Sequence, residues 1–403
     1  MPDKASKSGW RKHRFDEMAV MVNDRIEDPA EADVEYYVGL EHLDSESLSI
    51  QRSGSPSDVE ATKLRFRAGD IIFGRRRVYQ RKLAVAHFDG ICSAHAMVLR
   101  AKPEVAWPEF LPFFMQSDLF MERAKEISVG SLSPTINWEA LAKEVFTLPP
   151  LEEQRRIAEV LSAATNLAHC HDEAAGIVER ISASLLFQFI RGAHLGGLVH
   201  DERFGHYSPR FPLTPVGDLL LATQYGLSAP STSGGKYPML RMMDLSDGLA
   251  TEEGLCSVDL SDEDFGRYRL EDGDVLFNRT NSHDLVGRTG VYRLAGDHVF
   301  ASYLVRLKTD ASVLLPDYLC AFLNSPLGRR QVMRFATRGV SQTNVNVSNL
   351  RNVRIPLSSI DYQQAVCEHL EDLRHARRAH QRRSLGARKL VAQIANDFLG
   401  AAR

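Results

Sequence analysis

The sequence predicts an α+β fold in which two mixed α/β domains are separated by two long helices that pair as an antiparallel coiled coil, a pseudo-twofold internal repeat. Three observations predict this fold. Residues 130–161 align without gaps on residues 339–370, an offset of 209 residues. Each aligned segment leads into a long stretch whose apolar residues alternate spacings of three and four. The length of 403 residues is enough for two or three domains.

The composition is that of an ordinary globular protein. Hydrophobic residues make up 44% of the chain and charged residues 25%, which excludes a chain that is disordered as a whole. The net charge of −3 argues against a generic polyanion binder. No apolar run approaches the roughly 18 residues of a membrane helix, and the start of the chain lacks a secretory signal. The five cysteines are widely spaced, so we expect a cytoplasmic protein without a membrane partner.

The repeat extends beyond the aligned segment. Seven of its 32 positions are identical, among them Gly130/Gly339 and Gln154/Gln363, against roughly two expected from composition. Upstream, GDIIFGRRR at 69–77 resembles GDVLFNRTN at 273–281, a turn followed by an apolar strand that ends in polar residues. The chain therefore consists of two copies of one unit, each a strand-rich globular part followed by a long helix.

The two long helices are predicted from their apolar stripes. In the first, the stripe is Ile157, Val160, Ala164, Leu167, His171, Ala174, Val178, Ile181 and Leu185. Neither helix can leave its stripe exposed, so we expect the helices to pack on each other. The residues predicted to hold the coiled coil and the subunit contacts are Gln154, Ile157, Leu161, His171, Val178, Leu185, Gln363, Val366, Leu370, His380, Ile394 and Phe398.

The domain boundaries follow from prolines and glycines. Pro149, Pro150 and Pro356 precede the long helices and cannot continue a strand ladder. Within the globular parts, shorter helices are predicted over 109–127 and 317–335. The predicted divisions are a first domain at 1–150, a long helix at 151–195, a second domain at 196–357 with a linker at 192–215, and a second long helix at 358–403.

The basic run that follows the strand at 69–74 is the first candidate for binding chemistry. Its arginines could neutralise phosphates or read guanine, and its tyrosine could stack; a solvated basic loop is the alternative. The equivalent segment of the second copy carries amide, guanidinium and imidazole groups instead, so the two copies look like two readers of different DNA sequences. The candidate DNA-binding residues are Arg75, Arg76, Arg77, Tyr79, Arg81, Lys82, Ser93, Asn278, Arg279, Asn281, His283, Arg288, Ser302, Gln342 and Asn344.

Familiar catalytic motifs are absent from the sequence. It contains no P-loop, no G-x-G-x-x-G after a strand, no G-x-S-x-G elbow and no methyltransferase Asn/Asp-Pro-Pro-aromatic run. The cluster at 169–172 places His169 and His171 two residues apart on a helix, where they face apart rather than converge on a metal. We therefore predict no catalytic residue and no metal site.

Several segments resemble the specificity (S) subunits of type I restriction–modification systems. TLPPLEEQRRIAEVL at 147–161, followed by a long helix, resembles their central region. The segments at 37–43 and 88–93, and the Gly-Asp turns at 69 and 273, resemble their target recognition domains. The second copy departs from the pattern, because IPLSSIDYQQ lacks the double proline and the second acid.

The resemblance implies a function and a set of partners. It implies a non-catalytic chain whose two target recognition domains each read one half of a split site in double-stranded DNA, with the coiled coil as the ruler between them. Two methyltransferase (M) subunits would dock on it, and restriction/translocase (R) subunits could join. This chain would bind no cofactor, whereas its partners would use S-adenosylmethionine, ATP and Mg²⁺. The alternatives are an assembly scaffold whose globular parts bind protein, and a stand-alone nuclease.

Overall fold

The computed structural model describes residues 9–230, 232, 234–339 and 342–400. The chain forms two compact units. Unit 1 combines Met1–Asp172 with Gln381–Arg403, and unit 2 is Glu173–His380. Unit 1 is therefore built from two separate stretches of chain, whereas unit 2 is one continuous stretch.

The elements of unit 1 come first in the chain. Its strands are β1 (Arg11–Arg14), β2 (Ala19–Val22), β3 (Arg25–Ile26), β4 (Tyr36–Val38), β5 (Lys63–Phe66), β6 (Ile71–Gly74), β7 (Leu83–Val85), β8 (Gly90–Ser93), β9 (Ala96–Ala101) and β10 (Val145–Leu148). Its short helices are α1 (Phe15–Met18), α2 (Phe110–Gln116), α3 (Asp118–Glu126) and α4 (Trp138–Leu141). The first long helix, α5 (Leu151–Arg191), begins in this unit.

Two four-stranded sheets, in the orders β2-β9-β6-β7 and β3-β5-β8-β4, organise unit 1. Ile71 and Phe73 of β6 face a core that includes the helices, while Ile72 faces a second core. Successive side chains of a strand point to opposite faces, so a strand buried on both faces reads as a continuous apolar run. This explains why Ile71, Ile72 and Phe73 form a continuous apolar run.

Unit 2 contains the remaining elements. Its strands are β11 (Val199–Asp201), β12 (Gly205–Tyr207), β13 (Leu213–Pro215), β14 (Leu220–Tyr225), β15 (Tyr237–Leu240), β16 (Leu245–Ser246), β17 (Leu249–Ala250), β18 (Cys256–Val258), β19 (Val275–Asn278), β20 (Thr280–Asn281), β21 (Thr289–Val291), β22 (Val299–Phe300), β23 (Leu304–Thr309), β24 (Ala336–Arg338), β25 (Thr343–Val345) and β26 (Arg354–Pro356). Its short helices are α6 (Asp262–Tyr268), α7 (Pro316–Asn324), α8 (Pro326–Arg334) and α9 (Val347–Leu350), and the second long helix is α10 (Ile360–Gly400).

The architecture of unit 2 repeats that of unit 1. The order β14-β23-β19-β21 corresponds to β2-β9-β6-β7, and the antiparallel pair β13–β26 corresponds to β1–β10. Strand β19 is also buried on both faces, with Val275 and Phe277 in one core and Leu276 in another. The predicted α+β class and internal repeat are confirmed.

The two long helices pair in opposite directions. Within unit 1, the first half of α5 shares an apolar core with the last turns of α10, through Ile157, Leu161 and Ala395. Within unit 2, Ile190 from the end of α5 lies in one core with Leu370 from the start of α10. The start of each helix therefore meets the end of the other, which is the predicted antiparallel arrangement.

The apolar stripe of α5 differs in register from the prediction. Val160, Leu167 and Ile181 of the predicted stripe are 51%, 53% and 44% exposed. The helix instead buries Leu161, Ala168 and Ala175, each of which directly follows a residue of the predicted stripe. Because one residue turns a helix by about 100°, the buried face of α5 is rotated relative to the predicted stripe, and at Leu161 this face joins the globular core of unit 1. In α10, the predicted residues Val366 and Leu370 are buried and His380 is half-buried, while Phe398 is 39% exposed.

The stretch predicted as a linker at 192–215 contains ordered structure. Helix α5 ends at Arg191, where Gly192 takes a left-handed φ of 61°, four residues before the predicted boundary. Strands β11 and β12 then form a hairpin, and Phe204 at its turn is buried in the core of unit 2. The glycines and prolines that suggested a linker instead mark the ends of short strands and helices.

Both predicted helices within the globular parts are interrupted at a serine. Ser117 separates α2 from α3, and Ser325 separates α7 from α8. Each serine has extended backbone angles, and its Oγ accepts a hydrogen bond from a backbone N–H of the helix that follows. Each hydroxyl also donates to a carbonyl oxygen of the preceding helix, over 2.6 Å. A serine in an apolar helical stretch thus acts as an N-cap.

A buried glutamine anchors the start of each long helix to its globular part. In unit 1, Oε1 of Gln154 accepts from the Trp107 N–H over 2.8 Å, and Nε2 donates to the carbonyl oxygens of Val105 and Pro149 over 3.0 and 2.9 Å. The repeat places Gln363 in the same role in unit 2. It accepts from the Leu315 N–H over 2.9 Å and donates to the carbonyl oxygens of Val313 and Ser358, each over 2.9 Å. Both residues were predicted for the coiled coil and the subunit contacts; within this chain their side chains bond the helix to its globular part.

Candidate nucleic-acid interface

The basic segment of unit 1, Arg75–Arg77, follows strand β6 directly. Arg76 and Arg77 are exposed and Arg75 is half-buried. Arg77 has a left-handed φ of 54°, which turns the chain away from the strand. In the part of the chain that the structure describes, none of the three forms an ion pair, so their charge remains available to an anion. Tyr79, two residues further on, is 53% exposed.

Arg81 and Lys82 are bound within the fold, unlike the basic segment. Arg81 donates to Asp118 over 2.6 Å and to the carbonyl oxygen of Gln116 over 2.8 Å. Lys82 donates to the carbonyl oxygen of Leu40 over 2.7 Å. Arg81 thus joins its loop to α2 and α3, and Lys82 joins the same loop to the turn after β4.

Because Arg81 is bonded within the fold and the side chain of Arg77 forms no ion pair in the described structure, the two arginines should differ in their contribution to stability. We expect Arg81→Ala to lower the free energy of unfolding of unit 1 by about 1–2 kcal/mol, because it removes a charge-assisted and a carbonyl hydrogen bond. Arg77→Ala is the matched control and should change it by less than about 0.5 kcal/mol. Urea unfolding followed by tryptophan fluorescence measures both, since Trp10, Trp107 and Trp138 all belong to unit 1. Equal losses in the two variants would contradict this assignment.

His95 lies next to the basic segment, and the positive charge there affects its pKa. Its ring lies 3.1 Å from a guanidinium nitrogen of Arg76. Burial, followed by the charges of Arg76 and Arg75, lowers the pKa of His95 below its ordinary value of 6.5. His95 is therefore neutral at pH 7, and its neighbour Ser93 accepts its backbone N–H over 3.2 Å.

In unit 2 the equivalent segment separates into buried and accessible residues. Asn278 is fully buried and its amide donates to the carbonyl oxygen of Leu285, so its side chain supports the turn. Arg279 is half-buried and donates to the carbonyl oxygen of Ser302 over 3.1 Å. Asn281 is half-buried and His283 is exposed. The Oδ1 of Asn281 accepts from the Ser282 N–H over 2.8 Å, and the His283 ring lies 3.5 Å from the Asp284 carboxylate, so both side chains contact neighbours within the loop and still reach the surface.

Two tyrosines near Arg279 were missed by the sequence analysis. The Arg279 guanidinium lies 5.0 Å from the ring centroid of Tyr225, and its backbone N–H donates to the carbonyl oxygen of Tyr303. Both tyrosines are nearly half exposed. An exposed aromatic ring beside a guanidinium can stack on a base or contact a sugar. Tyr225 ends strand β14, and an aromatic residue at a strand end was the signal that could have found it.

The remaining candidates lie in two different places. Strand β25 pairs with β20, which sets the exposed Asn344 opposite Thr280 and beside Asn281. Gln342 precedes that strand and is exposed. Arg288 instead lines a cleft of about 410 Å³ together with Asp247 and with residues of α5, α7 and α10, including Arg374. The fold therefore brings Asn344 to Asn281 but assigns Arg288 to the cleft.

Metal and membrane sites are absent from the described ranges. No group of three or more His, Cys, Asp or Glu residues there could hold a metal ion. No helix in the same part of the chain has both the length and the apolar character of a membrane span.

Part of unit 1 matches a known family model. Residues 55–173 match the model described as the type I restriction modification DNA specificity domain. The chain is 27% identical over 303 residues to the type I restriction enzyme EcoKI specificity subunit of Escherichia coli (strain K12), and 23% identical over 303 residues to the StySPI specificity subunit of Salmonella potsdam. These matches cover 72% and 74% of this chain but only 64% of each relative. The chain thus spans less than two thirds of the length of these curated relatives.

Two solved structures share the fold over nearly the whole chain. One is a type I restriction-modification system S subunit from M. genitalium, with a TM-score of 0.58, 11% identity and 98% of each chain covered. The other comes from work on complex assembly and conformational transition of the type I R-M system. It has a TM-score of 0.59 and 23% identity, and covers 98% of this chain and 97% of that one. At these identities the likeness concerns the fold.

Proposed function

We propose that the chain is a member of the type I restriction–modification specificity family, and that it is the sequence-specific DNA-binding subunit of such a complex and recognises a two-part site. One observation carries the proposal. The two units have the same strand order, yet they present different side chains after the equivalent strands β6 and β19. Arg76 and Arg77 are offered by one unit, and Asn281 and His283 by the other. Guanidinium groups favour guanine and phosphate, whereas an amide can pair with adenine.

The exposed apolar residues of the long helices support a second part of the proposal, that protein partners dock there. In unit 1, Val160 and Leu167 of α5 and Leu385 and Leu390 of α10 are each about half exposed. In unit 2, the same holds for Ile177 and Ile181 of α5, whose exposed fractions are 48% and 44%. Exposed apolar side chains in a helical stripe are typical of protein-binding surfaces.

The partners that we propose are two methyltransferase subunits, which R subunits could join. In this assignment S-adenosylmethionine, ATP and Mg²⁺ belong to the partners, and this chain contributes DNA recognition without catalysis. The five cysteines are all unpaired in the fold, which supports the proposed cytoplasmic location.

Selection from a randomised duplex library by the purified chain tests the proposal. We expect two short specified sequences separated by an unspecified spacer. Arg77→Ala should relax or weaken one specified half by about 5- to 100-fold, and Asn281→Ala the other half, because a good base contact contributes about 1–3 kcal/mol. Mapping of methylated adenines in cells that also contain the methyltransferase partner gives an independent readout.

Two results would contradict the proposal. An uninterrupted motif, or a loss spread evenly over both halves in each single variant, would exclude one reader in each unit. If the chain selected no sequence but still bound the methyltransferase, the assembly scaffold would be the better interpretation.

A further inference from the structure

The loop at 128–136, between α3 and α4, carries an unusually exposed apolar tip. Leu132 is 93% exposed and Val129 is 72% exposed, the highest values among the large apolar residues of the described ranges. Ser131 and Ser133 flank Leu132, so small side chains surround a protruding large one. Leu132 adds nothing to the core, and its contact with water carries a hydrophobic cost.

Backbone hydrogen bonds hold this loop in a defined shape. The N–H and carbonyl groups of Val129 and Thr135 bond to each other, both over 3.0 Å. The hydroxyl of Thr135 donates to the carbonyl oxygen of Ser133 over 3.1 Å. Gly130 has a φ of 112°, which a residue with a side chain rarely adopts. The tip is therefore presented by a closed turn.

The same loop is bonded to the basic segment. The Arg77 N–H donates to the carbonyl oxygen of Pro134 over 2.8 Å, and the Ile136 N–H donates to that of Arg75 over 3.0 Å. Arg76 forms an isolated bridge with Thr135. The apolar tip and the exposed guanidiniums thus belong to one hydrogen-bonded assembly, and whatever anion binds Arg76 and Arg77 also lies near the tip.

We propose that Leu132 is a wedge that inserts between two base pairs beside the half-site contacted by Arg76 and Arg77. This inference rests on the DNA-binding function proposed above. Apolar side chains that part base steps are a recurrent device of DNA-binding proteins, and the unstacking cost of a few kcal/mol is offset by phosphate contacts next to the wedge. The positive surroundings favour DNA over a protein surface as the occupant, because the groups bonded to the loop are cations without ion-pair partners in the described structure.

Fluorescence of 2-aminopurine tests the wedge in the full chain. The probe replaces adenine at successive positions along a duplex that contains the selected site, and its emission rises where a base loses its stacking neighbour. With the unmodified protein, we expect the probe emission to rise at one base step outside the specified bases. With Leu132→Ala, the emission at that step should not rise. The affinity should fall by about 10- to 100-fold, the ratio that corresponds to burial of one leucine side chain.

Three comparisons separate the wedge from other roles. Leu132→Met should retain most of the affinity. Val145→Ala removes a half-exposed apolar residue elsewhere in unit 1 and should leave the affinity unchanged. A mismatch at the brightened step should restore the affinity of Leu132→Ala, because unstacking is then less costly. The dependence of affinity on salt should stay unchanged in Leu132→Ala, because this substitution removes no cation that contacts a phosphate.

Other outcomes would overturn the inference. Unchanged affinity and unchanged probe emission in Leu132→Ala would exclude a wedge, and loss of methyltransferase co-purification instead would make the tip a protein contact. If the unmodified chain selects no sequence at all, the proposed DNA-binding function fails, and that failure is recognised before any Leu132 variant is compared.

Discussion

Replacing Gln154 by alanine is expected to lower the free energy of unfolding of unit 1 by about 2–4 kcal/mol. The side chain is 1% exposed and makes all three of its hydrogen bonds to backbone groups. The substitution leaves the Trp107 N–H and two carbonyl oxygens without partners in a dry site, and each buried group left in this way costs about 1–3 kcal/mol. The start of α5 would lose its attachment to the loop at 105–107.

The repeat supplies a second copy of the same experiment. Gln363→Ala should destabilise unit 2 by a similar amount, because Gln363 is fully buried and bonds to the equivalent loop. Tryptophan fluorescence reports unit 1 alone, whereas circular dichroism reports both units. Gln154→Ala should therefore shift the urea midpoint seen by fluorescence, and Gln363→Ala should shift the circular dichroism transition more than the fluorescence one.

Hydrogen exchange locates the effect. The Trp107 amide should exchange faster in Gln154→Ala, and the Leu315 amide should do so in Gln363→Ala. Gln364→Ala is a matched control, since that neighbouring side chain is exposed and pairs only with Glu368 one turn away. Slow exchange at both amides in the variants would show that the glutamines are not anchors.

Arg306→Ala is expected to cost about 3 kcal/mol at pH 7, since removing one partner of a buried ion pair leaves an uncompensated charge. The Arg306 side chain is 17% exposed and lies 3.3 Å from the carboxylate of Asp274, which is 2% exposed. Arg306 also bonds to the carbonyl oxygen of Arg269 over 2.7 Å and to the side chain of Gln224. Unit 1 has the equivalent pair, Arg100 and Asp70, over 2.7 Å.

The loss of stability in Arg306→Ala should become smaller as the pH falls. Burial raises the pKa of Asp274 above its ordinary value of 3.8, and Arg306 opposes that rise. Without the arginine the pKa rises further. The folded protein then takes up a proton more readily than the unfolded chain, so the loss is full above the folded pKa and shrinks as the pH falls through it.

Urea unfolding at a series of pH values, followed by circular dichroism, measures this effect. Lys308→Ala on the same strand removes an exposed ion pair with Glu271 and should cost less than about 1 kcal/mol. Arg306→Met combined with Asp274→Asn should be more stable than Arg306→Met alone, because the buried charge is gone. A loss in Arg306→Ala that is independent of pH would show that packing, and not the charge of Asp274, sets the cost.

The sequence predicted the features that depend on spacing along the chain. The repeat at an offset of 209 residues predicted that Gln154 and Gln363 would be equivalent. The stretches without proline predicted both long helices. It could not predict which helix face is buried, since α5 packs against both α10 and its own globular part. It also could not predict the breaks at Ser117 and Ser325, because a serine is compatible with either a helix interior or a cap.

The candidate interface was only partly predictable for a similar reason. A basic run shows that charge is present but not where each side chain points. In the fold, Arg81 bonds to Asp118 and Asn278 is buried, while Arg77 and Asn281 remain accessible. Tyr225 joins the site through strand pairing with β23, which brings distant residues together. Which of several neighbouring polar side chains remains accessible depends on tertiary contacts, and local sequence patterns do not encode these contacts.

The two-part composition of unit 1 has a consequence for biosynthesis. The core that Ile157 and Leu161 share with Ala395 closes only after the ribosome has translated all of unit 2. At about 5–20 residues per second, the nascent first half waits roughly 10–40 s with that apolar surface uncovered. Unit 2 is continuous and is fully translated before Gln381, so the amino-terminal half of this polypeptide is the last to receive all of its residues.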